Sequence, residues 1–177
     1  MDKTDEIRRI NLEISLKFSK IELQLSQAKN IAGLFETLFA GIEKEFAVPF
    51  VWLTLVDSEN AAPIIAAVKS SGLLKNKLNV LSPALFADIL PGGLQPVLVN
   101  KELQPYYKLL PPTNKFFIKS LAIIPFKAHD EIVGSWNNGD VASERYRPDM
   151  ETGLLQKLGQ KVSQRLNEFV SLPKQKS

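Results

Sequence analysis

SLAIIPFK at Ser120–Lys127 and EIVGSWN at Glu131–Asn137 flank the short connection Ala128-His129-Asp130. Both runs are rich in aliphatic and aromatic side chains, and His129-Asp130 tolerate positive φ better than most residues. The pattern predicts two antiparallel strands joined by a tight turn. A proline inside the first run predicts an edge position or a bulge at Pro125. A turn centred on 129–130 sets the pairing. It puts Ala122, Ile124 and Phe126 on one face with Val133, Ser135 and Asn137, and Leu121, Ile123 and Pro125 on the other with Gly134, Trp136 and Asn138. The first face mixes small and polar side chains, which leave volume and offer hydrogen bonds, as a ligand pocket requires. Completed by two residues of an earlier strand, the expected ligand-binding set is Trp52, Thr54, Ala122, Ile124, Ser135 and Asn137. The bulkier second face is expected to receive helices.

Downstream, Arg147-Pro148-Asp149 is expected to open a last helix, with Leu155, Leu158, Val162, Leu166 and Phe169 at helical spacing. Pro173 ends it, and 173–177 read as a disordered tail. Upstream, FVWLTLVD at Phe50–Asp57 predicts a strand buried on both faces. A turn at Asp57–Asn60 then leads to an expected second strand at Ile64–Val68. Ser82-Pro83 caps a short helix to about Leu90, Pro96–Val99 is a third strand, and Asn100 is expected to cap another short helix through Leu110. Pro111-Pro112 stops that helix.

Residues 5–46 read as helix. Ile7, Ile10, Ile14, Phe18, Ile21 and Leu25 recur in steps of three or four and continue into Ala28, Ala32, Phe35, Phe39 and Ile42. Gly33 and Gly41 weaken helix propensity, so a break near Asn30–Gly33 would give two helices in line. Leu12, Leu16, Leu23, Leu34 and Leu38 lie off the stripe as a second apolar face. Residues 5–28 precede the globular part and find little of it to pack on. Ile7, Ile10, Ile14, Phe18, Ile21 and Leu25 are therefore the expected homodimer interface. The organisation read from sequence is a dimerisation helix over 1–30, one domain over 31–172 and the tail.

At 177 residues, 45% apolar and 23% charged, the chain is long enough to bury its own core. Its +3 charge is scattered rather than clustered, so nucleic acid is not an expected partner. A basic start followed by an apolar run is lacking, and no apolar stretch is long enough to span a bilayer, so a cytoplasmic protein with no membrane partner is expected. There are no cysteines, which removes thiolate nucleophiles, iron–sulfur ligation and thiol switches. His129 is the single histidine, and its hairpin position reads as a solvated turn residue rather than a catalytic base or metal ligand. Asp88, Asp140 and Asp149 are isolated carboxylates without acid–base spacing. Pro91-Gly92-Gly93 is a turn, not a phosphate loop. Neither enzyme activity nor a cofactor or metal is expected.

The order helix, two strands, short helices, strand, hairpin and long helix resembles the GAF domain. The resemblance is most specific from Ser120 to Phe169, where Pro125, Gly134 and Pro148 fall where GAF sequences commonly place those residue types. It is closest to a bacterial GAF-like family of unknown function whose members pair a heptad-rich N-terminal helix with one such domain. The stretch Glu144–Met150, followed by Leu158-Gly159, carries that likeness, and Trp136-Asn137-Asn138 departs from the small or aliphatic residues usual there. The resemblance implies an α+β fold, with a mostly antiparallel sheet, helices on one face and a small-molecule pocket on the other. It also implies a sensory or regulatory role, exercised through a protein partner. Without cysteine, covalent bilin attachment and sulfoxide reduction fall away. The cyclic-nucleotide signature of Asn-Lys, Phe and Asp-Glu is not in place. Asn114-Lys115 and Phe126 with Asp130-Glu131 lie before and inside the hairpin, and the equivalent positions hold Asn137-Asn138, Tyr146 and Met150-Glu151. The alternative is an adaptor dimer whose pocket is filled by its own Trp52, Trp136 and Phe126.

Overall fold

A computed structural model describes residues 2–111 and 116–170 of the chain; the expected tail at 173–177 and Asn114-Lys115 lie outside them. The hairpin forms where the sequence places it. Strands Ser120–Ala128 and Glu131–Asp140 pair antiparallel, and His129 and Asp130 take φ values of 48° and 70° at the turn. Numbered in chain order, the strands are β1 (Phe50–Val56), β2 (Leu78–Leu81), β3 (Val97–Val99), β4 (Ser120–Ala128) and β5 (Glu131–Asp140). They form one mixed sheet in the order β2-β1-β5-β4-β3, antiparallel except for the β1–β2 pair.

A bulge between Phe126 and Lys127 corrects the expected faces. Next to the turn Lys127 pairs with Ile132, but beyond the bulge Phe126 pairs with Gly134, Ile124 with Trp136 and Ala122 with Asn138. One extra residue in β5 flips every later side chain to the opposite face. Ala122, Ile124 and Phe126 therefore share their face with Trp136, whereas Ser135 and Asn137 lie opposite with Leu121, Ile123 and Pro125. The Lys127 amide, released from the ladder, donates to Ser163 Oγ at 3.0 Å. Pro125 lies past the end of β3, whose last partner in that direction is Ile123, so its missing N–H interrupts no second ladder.

The helices are α1 (Lys3–Ser26), α2 (Ile31–Phe46), α3 (Ala62–Ser70), α4 (Pro83–Ile89) and α5 (Gly153–Phe169). Helix α3 occupies the place expected for a second strand. Ile64 and Val68 are four apart and both fully buried, as one helix face requires, and Pro63 stands in the first turn. The run connects β1 to β2, whose parallel pairing needs such a crossover. The last helix begins at Gly153, later than Arg147–Asp149, and Gln104–Leu109 is a 3₁₀ turn that Asn100 does not cap.

Helices α1 and α2 are not in line. Asn30 caps α2 by accepting from the Gly33 amide at 2.7 Å, and the chain folds back so that Ile21 meets Gly41 and Phe18 meets Phe46, their rings 4.8 Å apart. A methyl group at Gly41 would stand 2.9 Å from Ile21 Cγ1, so glycine sets how closely the helices approach. Lys20 and Glu45 pair across them at 2.9 Å, and Arg165 of α5 donates to the carbonyls of Leu25 and Ala28 at the bend. Ile21 and Leu25 are thereby fully buried in their own domain, against the expectation that the whole stripe lacks an internal partner. Helix α1 is eight residues longer than α2, about 12 Å at 1.5 Å per residue. The overhang leaves Ile7 and Ile10 exposed.

The sheet separates two cores. Helices α1, α2, α3 and α5 cover the face of Leu53, Leu55, Ile124, Phe126 and Trp136, where Gly159 lets α5 approach Ile124. Helix α4 and the 3₁₀ turn cover the face of Trp52, Val56, Leu121 and Ile123. Helices thus lie on both faces, the long ones on one. Among the described residues, no helix is long and apolar enough to cross a membrane.

Candidate functional site

Four of the six expected ligand residues do come together. In the β1–β5 register Trp52 stands opposite Asn137 and Thr54 opposite Ser135, all pointing away from the long helices. Thr54, Ser135 and Asn137 are fully buried and joined in one chain of hydrogen bonds. Ser135 Oγ donates to Asn137 Oδ1 at 2.8 Å, and Asn137 Nδ2 donates to Thr54 Oγ1 at 3.1 Å. The Leu109 carbonyl then accepts from Thr54 Oγ1 at 3.2 Å, from Trp52 Nε1 at 2.6 Å and from Asn79 Nδ2 at 2.8 Å. The chain's own carbonyl occupies the place a ligand acceptor would take, and the 3₁₀ turn is latched to the sheet by it. Among the described residues every buried side-chain nitrogen and oxygen has a partner, as a sealed interior demands.

Ala122 and Ile124 belong to the opposite face, and that face holds the space. A cavity of about 530 Å³, within the usual range for small-molecule sites, lies between α1, α2, the start of α5 and the sheet. Ile14 and Phe18 of α1 roof it, Ile42 and Phe46 of α2 and Leu154 and Leu155 of α5 wall it, and Leu98 and Asn138 lie at its floor. Ala122 stands between those two floor residues in the register. The expected site residues Ile14 and Phe18 thus roof a cavity within their own chain.

The polar groups gather at one end, where the chain from β5 to α5 passes. Tyr146 is buried, and that burial pushes its phenol up; the nearby Arg145 guanidinium and a hydrogen bond with Asn138 work against the rise. Arg145 donates to the Phe46 carbonyl and toward Asp140 Oδ2 at 3.5 Å. Asn138 Oδ1 accepts from Trp136 Nε1 at 2.7 Å. Met150 and Glu151 stand at the rim, on the turn that delays the start of α5.

His129 is half-buried rather than solvated. Its ring Nε2 lies 2.5 Å from the Val170 carbonyl and its backbone amide donates to Asn167 Oδ1 at 2.7 Å, tying the hairpin to the end of α5. Among the described residues no three acidic or histidine side chains gather as metal ligands would. Set against known proteins, the chain matches no protein-family profile and no curated sequence.

Proposed function

We propose that this chain is a non-catalytic, cytoplasmic regulatory module of the GAF-like type that binds a small molecule and pairs with a second copy through α1. The observation that supports it best is the 530 Å³ cavity roofed by Ile14 and Phe18, because the helix above the ligand is also the helix with uncovered leucines. Leu12, Leu16 and Leu23 are 60%, 60% and 63% exposed. Their spacing fits adjacent positions of a coiled-coil seam, and in a parallel pair Arg8 of one copy would face Glu13 of the other. The self-association surface is thus Leu12, Leu16 and Leu23, on the side of α1 opposite the stripe of Ile7, Ile10, Ile14, Phe18, Ile21 and Leu25. A ligand that lifts or seats α1 alters that surface, which a downstream protein partner would read.

The test is a titration with N-phenylnaphthylamine, a neutral fluorophore that brightens in apolar sites. Saturable binding is expected, lost in Ile14→Trp, which fills the cavity, with little change in melting temperature. Binding that survives Ile14→Trp but disappears in Leu16→Glu would place the dye on the exposed leucines and remove the ligand-binding reading. The sealed network around Leu109 favours a second reading, an adaptor dimer without ligand. A dimer by light scattering with no dye binding would select it.

A further inference from the structure

We infer that the cavity beneath α1 takes a neutral, elongated apolar molecule carrying one hydrogen-bond acceptor at one end, such as a medium-chain alcohol or ketone, and rejects the matching carboxylate. The inference rests on the proposed ligand-binding reading and narrows its chemistry. The lining supplies hydrocarbon from three helices and the sheet, so the body of the ligand is apolar. Among the described residues the polar groups of the lining converge at the Tyr146 end, so the ligand is polar at one end.

What that end accepts follows from which groups are already committed. Among the described residues Arg145 is the one cation lining the cavity, and its guanidinium is bonded to the Phe46 carbonyl and directed to the Asp140 carboxylate. Lys17 lies over the Phe46 ring, 5.8 Å from its centre, and does not line the cavity. Glu151 brings a further negative charge to the rim. An incoming carboxylate would meet Glu151 and a guanidinium already shared with the Phe46 carbonyl and Asp140, so its charge would be poorly compensated. Asn138 Oδ1 is taken by Trp136, and its amide N–H₂ serves the Tyr146 oxygen, so Asn138 orients the phenol. Tyr146 lines the cavity and is a neutral phenol at neutral pH, with an O–H to donate. A phenol O–H donor beside a guanidinium already committed to protein oxygens suits an uncharged oxygen.

Competition against bound N-phenylnaphthylamine by decanol and by decanoate tests this, with each competitor kept below the concentration at which it aggregates. Decanol is expected to displace the dye, with decanoate weaker by about tenfold or more, since each 1.4 kcal/mol is a factor of ten. Tyr146→Phe should weaken decanol by about three- to tenfold relative to the dye measured in the same variant, the worth of one neutral hydrogen bond. Should that variant not fold, the decanol-to-decanoate ratio in the natural protein decides alone. Equal or stronger displacement by decanoate, or dye binding that neither displaces, overturns the ligand class while the cavity reading stands. Absence of dye binding overturns both.

Discussion

Replacing Ile21 with alanine tests whether α1 belongs to its own domain. Ile21 is fully buried and its side chain lies against Gly41 of α2. The change removes three carbon atoms, about 0.8 kcal/mol each in transfer free energy, and leaves a cavity that a fixed helix pair closes only in part. The expected loss is about 3 kcal/mol. For a domain of 150–250 residues that lowers the melting temperature by about 6–12 °C. Ile7→Ala provides the comparison, because Ile7 is 51% exposed on the overhang and its loss should stay within about 0.5 kcal/mol. Thermal melts of both variants over a hundredfold range of protein concentration separate the sources of any effect. A deficit of Ile21→Ala that is constant with concentration places the contact within one chain, whereas one that grows on dilution places it between chains. Equal melting of the two variants would refute the folded-back helix pair.

Two further outcomes follow from the sealed face and the buried phenol. Ser135→Phe should destabilise by about 3 kcal/mol or more, because a ring has no room beside Asn137 and the Thr54 network loses a member; a neutral result in a urea melt would show empty volume on that face. Burial raises the Tyr146 phenol above its ordinary value, so the native state keeps a proton that the unfolded chain releases. Its contribution is complete below pH of about 10 and is lost as pH rises through the raised native value. Tyr146→Phe should therefore lose less stability than the natural protein on going to strongly alkaline pH, and parallel losses would refute the assignment.

The hairpin was legible because two residues at its turn tolerate positive φ between strand-forming runs. Its pairing beyond Phe126 was not. A bulge at Phe126/Lys127 is fixed by Ser163 of α5, thirty-six positions away, and no local residue announces it. Ala122 and Ile124 therefore exchange faces, while Trp52, Thr54, Ser135 and Asn137 stay together, since their grouping rests on alternation within β1 and β5. Ile64–Val68 is a short apolar run that reads equally as strand or helix in sequence, and only Pro63 tips it toward helix. The short β2 carries two leucines, an asparagine and a valine, too few to show a period. Gly41 signals weak helix in sequence, yet in the fold it is the notch that receives Ile21, so the fold-back depended on a pairing that spacing along one helix does not reveal. The cavity was invisible for the same reason: its roof, walls and floor come from segments far apart in the chain.

Hydrogen exchange with and without N-phenylnaphthylamine measures most directly which face holds a ligand. Slower exchange is expected around 14–18 in α1, 42–48 at the end of α2 and 150–156 before and within α5, with 104–110 unchanged. Protection confined to 104–110, with α1 unaffected, would put the ligand under the 3₁₀ turn and contradict a site beneath α1.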